Sequence, residues 1–182
     1  MKIMLHSCCG PCTTYSLKAL REEGHDVLGL FYNPNIHPYM EHRRRIDAFA
    51  SYCAQAGHDA LIDEEYGLRK FLGSIGAEYD NRCAICYEMR LARAARHGVE
   101  RGCDAFTTTL TISPYQNHEL IAEVGRRVGE EHGIEFKYFD FRPGYRQSIE
   151  MSRQMDLYRQ PYCGCVFSEE ERYSPAMRRK KS

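Results

Sequence analysis

Short apolar runs of strand length alternate with amphipathic helical stretches along nearly the whole chain, and this alternation is the signature of βαβ units joined into a parallel sheet. The runs at 2–6, 27–32, 59–62, 104–110 and 135–139 read as strands. Helical patterns fill the gaps at 13–23, 39–56, 83–101, 117–132 and 147–158. In the second of these, Ile46, Phe49, Ala50 and Cys53 recur at helical spacing while Arg43, Arg44 and Asp47 point elsewhere. The expected fold class is therefore α/β, a Rossmann-like parallel sheet flanked by helices. A length of 182 residues suits one domain with a substantial core, expected over 1–172, and the basic stretch 173–182 lacks periodicity and is expected to be a flexible tail.

An open parallel sheet binds ligands beyond the carboxyl ends of its strands. The unusual sequences collect there. The first strand runs into Ser7-Cys8-Cys9-Gly10-Pro11-Cys12 and the second into Asn33-Pro34-Asn35-Ile36-His37. The fourth runs into Thr111-Ile112-Ser113-Pro114-Tyr115 and the fifth into Asp140-Phe141-Arg142-Pro143-Gly144. Part of that pattern is ordinary turn chemistry, since Gly, Pro and Asn suit loops anywhere.

Seven of the nine cysteines fall into three tight groups: Cys8, Cys9 and Cys12; Cys83 and Cys86; Cys163 and Cys165. The amino terminus carries no long apolar secretory segment, and no stretch has the apolar length to cross a bilayer, so an intracellular, cytoplasmic chain with no membrane partner is expected. In a reducing compartment such thiols bind metals or do chemistry and do not form disulfides. Each pair taken singly fits a zinc knuckle or a thioredoxin-like dithiol as well as an iron-sulfur site. Seven clustered thiols exceed the four ligands of one structural zinc, which favours a redox cluster. Cys83 and Cys86 lie on one face at the start of a helix, where backbone amides favour negative sulfur. Cys53, on an apolar helix face, and Cys103, just before a strand, read as core residues.

Read in order, five segments resemble the QueH family of epoxyqueuosine reductases: His6-Ser7-Cys8-Cys9-Gly10-Pro11-Cys12, Tyr32 to Pro38, Cys83-x-x-Cys86-Tyr87, Thr107 to Pro114 and Tyr162-Cys163-Gly164-Cys165. The resemblance covers nearly the whole chain except its basic tail. It implies a fold similar to adenine nucleotide alpha-hydrolase-like domains. It also implies a cobalamin-independent oxidoreductase of tRNA processing, which reduces epoxyqueuosine to queuosine at the wobble position in the last step of queuosine biosynthesis. The implied cofactors are a [4Fe-4S] cluster and an adjacent mononuclear metal, iron in preference to zinc, held by Cys8, Cys9, Cys12, Cys83, Cys86, Cys163 and Cys165. ATP-using relatives of that fold carry a Ser-Gly-Gly loop after the first strand; Cys-Cys-Gly-Pro-Cys stands there here, which argues against ATP use.

Epoxide removal takes two electrons and two protons, and side chains are poor electron carriers, so a cofactor must supply the electrons and an electron donor of unstated identity must refill it. His37, Tyr115 and Tyr162 are the catalytic candidates, and Asn33, Asn35, Arg43, Thr108 and Ser113 the substrate-binding ones. A tRNA with a queuosine-type anticodon would be met by aromatic rings and cations, with Tyr32, Tyr39, Tyr87, Arg43 and Arg90 available. Basic and acidic residues balance at 25 each, so any RNA contact is local, with Arg43-Arg44-Arg45 and Arg178 to Lys181 the two basic runs. Each of these residues has a structural reading of comparable weight, as a turn former, a helix cap or a solvated surface. Two other functions stay open: a thiol-disulfide oxidoreductase built on Cys9 and Cys12, and a non-catalytic zinc-bearing RNA-binding module.

Overall fold

The computed structural model describes residues 1–77 and 79–175. Its centre is β1 (Lys2–Ser7), flanked by β2 (Asp26–Phe31) on one side and β4 (Ala105–Thr108) on the other. β3 (Ala60–Ile62) and β5 (Glu135–Phe136) complete a five-stranded sheet of order β3-β2-β1-β4-β5, with every pairing parallel. The helices are α1 (Gly10–Glu22), α2 (Tyr39–Ala56), α3 (Leu68–Ile75), α4 (Arg82–Glu100), α5 (His118–His132), α6 (Tyr145–Gln154) and α7 (Val166–Tyr173). The strand order reverses at β1, so its carboxyl end is the topological switch point where ligands of such sheets bind.

β1 is buried on both faces, and its side chains alternate between two cores, as a period of two requires. Met4, with Phe106 of β4, faces Leu91, Ala94, Ile121 and Val128 of α4 and α5. Ile3 and Leu5 face Leu17 and Leu20 of α1 and Tyr52 of α2. α1 begins abruptly because Pro11 suits a first turn and the Cys9 sulfur accepts the Cys12 amide at 3.3 Å. Gly10 is needed there, since a Cβ would stand 2.6 Å from the Ala48 carbonyl oxygen of α2. Gly57 and Gly133 close α2 and α5 in the left-handed conformation.

The expected elements are all present, with several bounds moved. The strand expected to 110 stops at Thr108, whose hydroxyl accepts the Leu110 amide at 3.1 Å and starts a 3-10 turn. The strand expected over 135–139 keeps only its first two residues on the ladder. The helix expected over 147–158 runs from Tyr145 to Gln154. α3 and α7 were not foreseen. Among the described residues no helix is long and apolar enough to cross a membrane. The basic run Arg178 to Lys181 lies outside them.

Candidate active site

Cys8 ends the turn after β1, Cys9 caps α1 and Cys12 sits in its first turn, which brings their sulfurs within 4.8 Å of one another. The Thr109 hydroxyl accepts the Cys8 amide at 3.0 Å and reaches the Cys8 sulfur at 3.3 Å. From the opposite side the Gln160 amide donates to the Cys9 sulfur at 2.8 Å. Hydrogen bonds from Cys12 and Cys9 hold the Cys8 thiol well below its ordinary value, while the same bond raises Cys12 and burial raises Cys9. The trio is a close-set group of soft sulfur donors.

A second group draws on distant segments. Cys83 and Cys86 stand in the first turn of α4, and Cys163 and Cys165 lie on the loop before α7. Cys86 and Cys165 share one small apolar cluster with Phe71 and Ile75. Burial pushes Cys86 up to about 12, with Arg90 opposing the shift and Cys163, Cys165 and Cys83 adding to it. Among the described residues only the first trio brings three such ligand atoms within 4.8 Å. The sulfurs of the second group are close enough to act on one another electrostatically without three of them lying within 4.8 Å.

The loop bearing Cys163 and Cys165 is fastened from beneath. Arg45, fully buried, pairs with Glu41 at 2.8 Å and donates to the carbonyls of Cys163 at 2.8 Å and Tyr162 at 3.0 Å. Between the two cysteines Gly164 adopts φ 143°, which favours glycine, and a Cβ there would crowd Ile36, Arg45 and Asn35. The two thiol groups meet at a cavity of about 560 Å³, with Cys8 and Cys12 on one wall and Cys163 on another. Ser113, Tyr115, Gln116, Tyr145, Arg159 and Tyr162 are among its other lining residues. Gln116 donates to the Cys163 sulfur at 3.4 Å and accepts from the Tyr87 hydroxyl at 2.7 Å.

Of the residues singled out from sequence, Cys8, Cys12, Cys163, Ser113, Tyr115 and Tyr162 line this cavity, while Cys9, Cys83, Cys86 and Cys165 do not. Tyr115 is 84% exposed. Thr108 is turned inward, where its hydroxyl meets His6 at 2.9 Å. The Asn33 amide donates to the Ser7 carbonyl at 3.0 Å, and Asn35 is buried beneath Gly164. His37 lies behind the loop, against Tyr66 and Phe71, with a ring nitrogen 3.1 Å from the Pro34 carbonyl. Burial lowers its pKa to about 4, so the ring is neutral. Arg43 pairs with Glu64 on the outer face of α2. Three residues offered for RNA contact, Tyr32, Tyr87 and Arg90, are buried and cannot stack on a splayed base, and Arg45 is an internal clamp and not a phosphate ligand. Cys53 and Cys103 pack against the cores, as expected. Sequence reasoning placed Arg45 in a basic run for RNA and Thr109 only within a motif, and did not single out Gln116, Tyr145, Arg159 or Gln160.

A doubly wound α/β sheet with two thiol groups opening on one polar cavity at its switch point defines the class: an α/β protein built to hold sulfur-ligated metal beside a substrate cleft. Residues 3–171 match the family model described as epoxyqueuosine reductase QueH. A Dehalococcoides mccartyi protein named epoxyqueuosine reductase QueH is 40% identical over 172 residues, covering 94% of each chain. One of the same name from Thermotoga maritima is 33% identical, covering 93% of this chain and 91% of its own. The chain belongs to the QueH family of epoxyqueuosine reductases. The fold is also that of the U34-tRNA thiolase NcsA from Methanococcus maripaludis, solved with its [4Fe-4S] cluster, at a TM-score of 0.53 and 16% identity over 99% of this chain and 68% of that one.

Proposed function

We propose that this chain reduces epoxyqueuosine to queuosine at the wobble position of tRNA, using sulfur-ligated iron and no cobalamin. One observation carries the reading beyond family membership: thiols from two segments far apart in the chain, Cys8 with Cys12 and Cys163, wall a single cavity. Cys83, Cys86, Cys163 and Cys165 are the set that would hold a [4Fe-4S] cluster, and Cys8, Cys9 and Cys12 the set that would hold one further ion, iron in preference to zinc. When bound, these groups supply single electrons and Lewis acidity, which side chains do not. The reaction breaks both C–O bonds of the epoxide, leaves a C=C bond, and consumes two electrons and two protons to release water. An external donor provides the electrons, in the cytoplasm.

The chain's own residues orient and protonate. Gln160 and Thr109 aim the sulfurs of the trio, and Gln116, fixed by Tyr87, aims Cys163. Tyr115 and Tyr145 pack edge to face at the cavity, their rings 6.3 Å apart, and offer a flat surface to a base lifted from the anticodon loop. The Ser113 oxygen accepts the Tyr115 amide at 3.3 Å, which leaves its O–H for the substrate. Burial pushes Tyr162 up to about 12, so it keeps its proton at neutral pH, and its hydroxyl rests on the His37 carbonyl. His37 thus acts by holding Tyr162 in place. Arg44, exposed on the outer side of α2, remains for phosphates, while Arg43 is already paired with Glu64.

The test is anaerobic purification with iron, sulfide and zinc content, followed by turnover of tRNA bearing epoxyqueuosine. Cys86→Ser should lose sulfide, brown colour and activity. Cys12→Ser should keep the sulfide and lose the extra ion and the activity. A colourless wild-type protein carrying only zinc and inert toward this tRNA would refute the reading.

A further inference from the structure

Two arginines, Arg45 and Arg90, are the largest fully buried side chains among the described residues. They are neutralised differently. Arg45 has a carboxylate, Glu41, at 2.8 Å. Arg90 pairs with no carboxylate in the described structure. Its Nη2 donates to the Cys86 sulfur at 3.0 Å, its Nε to the Cys86 carbonyl at 3.2 Å, and its guanidinium lies 5.8 Å from the centre of the Tyr87 ring. The groups of negative character acting on it are, in order, Cys86, Cys163, Cys8 and Tyr87. A guanidinium cannot shed its proton inside a protein, and an uncompensated buried charge is costly. Its counter-charge must therefore be sulfur.

We propose that Arg90 is the built-in counter-cation of the sulfur-ligated centre, standing between the four-thiol group and Cys8 and raising the reduction potential of whatever redox metal those thiols hold. The inference rests on the iron-sulfur reading above. A fixed positive charge in a water-poor site favours the reduced, more negative form of a cluster, and hydrogen bonds to ligand sulfur act in the same direction. Arg90 is thus a positioning and tuning residue. It lines no part of the cavity and is not expected to touch substrate.

The variants are Arg90→Met, which removes the charge and keeps length and bulk, and Arg90→Lys, which keeps the charge. On anaerobically loaded protein, an EPR-monitored redox titration of Arg90→Met should give a midpoint lower by at least about 59 mV, the one-electron equivalent of a tenfold change in the oxidised-to-reduced ratio. Arg90→Lys should stay close to wild type. The second readout is the thermal midpoint of the reduced, metal-free proteins. There the four-thiol group supplies little compensating charge, so Arg90→Met should melt at or above wild type, whereas loss of a packing residue would melt lower. A loaded Arg90→Met with an unchanged potential overturns the proposal. Should Arg90→Met fail to load, the metal-free melting decides: an undiminished midpoint supports the counter-cation, and a lowered one overturns it. A wild type without iron and sulfide defeats the iron-sulfur reading itself and is recognised before any variant is compared.

Discussion

Replacing Arg45 with methionine should unfasten the loop that presents Cys163 and Cys165. The guanidinium makes three bonds in a dry site, one to Glu41 and two to the backbone carbonyls of Cys163 and Tyr162. Removing one partner of a buried pair costs about 3–5 kcal/mol, and hydrogen bonds from a charged donor contribute about 1.5–3 kcal/mol each. These contributions overlap. Part of the Glu41 charge stays satisfied by the Tyr158 hydroxyl at 2.6 Å, so a loss of about 4 kcal/mol is expected. With a urea slope of about 2 kcal/mol per M, the unfolding midpoint of the metal-free protein should fall by about 2 M at unchanged slope. Alkylation of Cys165, buried in the native protein, should accelerate in parallel. Because the two residues share one interaction, the double variant Glu41→Gln, Arg45→Met should cost less than the sum of the single ones. A loss under about 1 kcal/mol together with unchanged labelling would show that something other than Arg45 holds the loop.

Two further outcomes follow from burial and exposure. His58 is buried without a hydrogen bond to its ring, and burial lowers its pKa from 6.5 to about 4, so the unfolded chain takes up a proton that the folded one refuses between those values. Stability present above pH 6.5 should therefore fall as the pH drops toward 4, by about 2 kcal/mol between pH 7 and 5 for this residue, and Met in its place should flatten the measured pH profile by that amount. Tyr115→Ala should leave the thermal midpoint unmoved, because the ring is 84% exposed, and should weaken tRNA binding roughly 5- to 150-fold, the equivalent of about 1–3 kcal/mol of stacking. Unaltered binding would remove Tyr115 from the recognition surface.

The sheet, its parallel sense and the collection of unusual loops on one edge were legible because strand and helix periods differ so clearly along this chain. α3 was missed although Leu68, Phe71, Leu72 and Ile75 mark one helical face; a single short stretch between Gly67 and Gly76 gives few repeats to read. α7 begins on a cysteine whose sulfur accepts the Ser168 amide, and cysteine is no ordinary start signal. The seven sulfurs were visible, but their division was not, because the pairing of Cys83 and Cys86 with Cys163 and Cys165 is made by tertiary packing. The three consecutive arginines read as a solvated run. Their separation lies in helical phase: Arg45 shares the row of Glu41, Phe49 and Tyr52, all buried, while Arg44 points out. Gln116 and Gln160 give no local signal, since each takes its place from a sulfur far away in the chain, whereas Arg90 stands one helical turn after Cys86 and sequence reasoning read it only as a possible RNA contact.

The unequal reach of the two thiol groups along the polypeptide has a thermodynamic consequence. Cys8, Cys9 and Cys12 are neighbours in sequence, so an unfolded chain can close around an ion with little loop entropy, and affinity for the denatured state cancels much of the stabilisation that such an ion brings. The other set exists only when α4 and the segment before α7 are already docked, so a ligand there is released on unfolding and its whole binding free energy is linked to folding. Chelation at the first site should scarcely move the melting curve, whereas loss of the second ligand should leave a markedly softer protein.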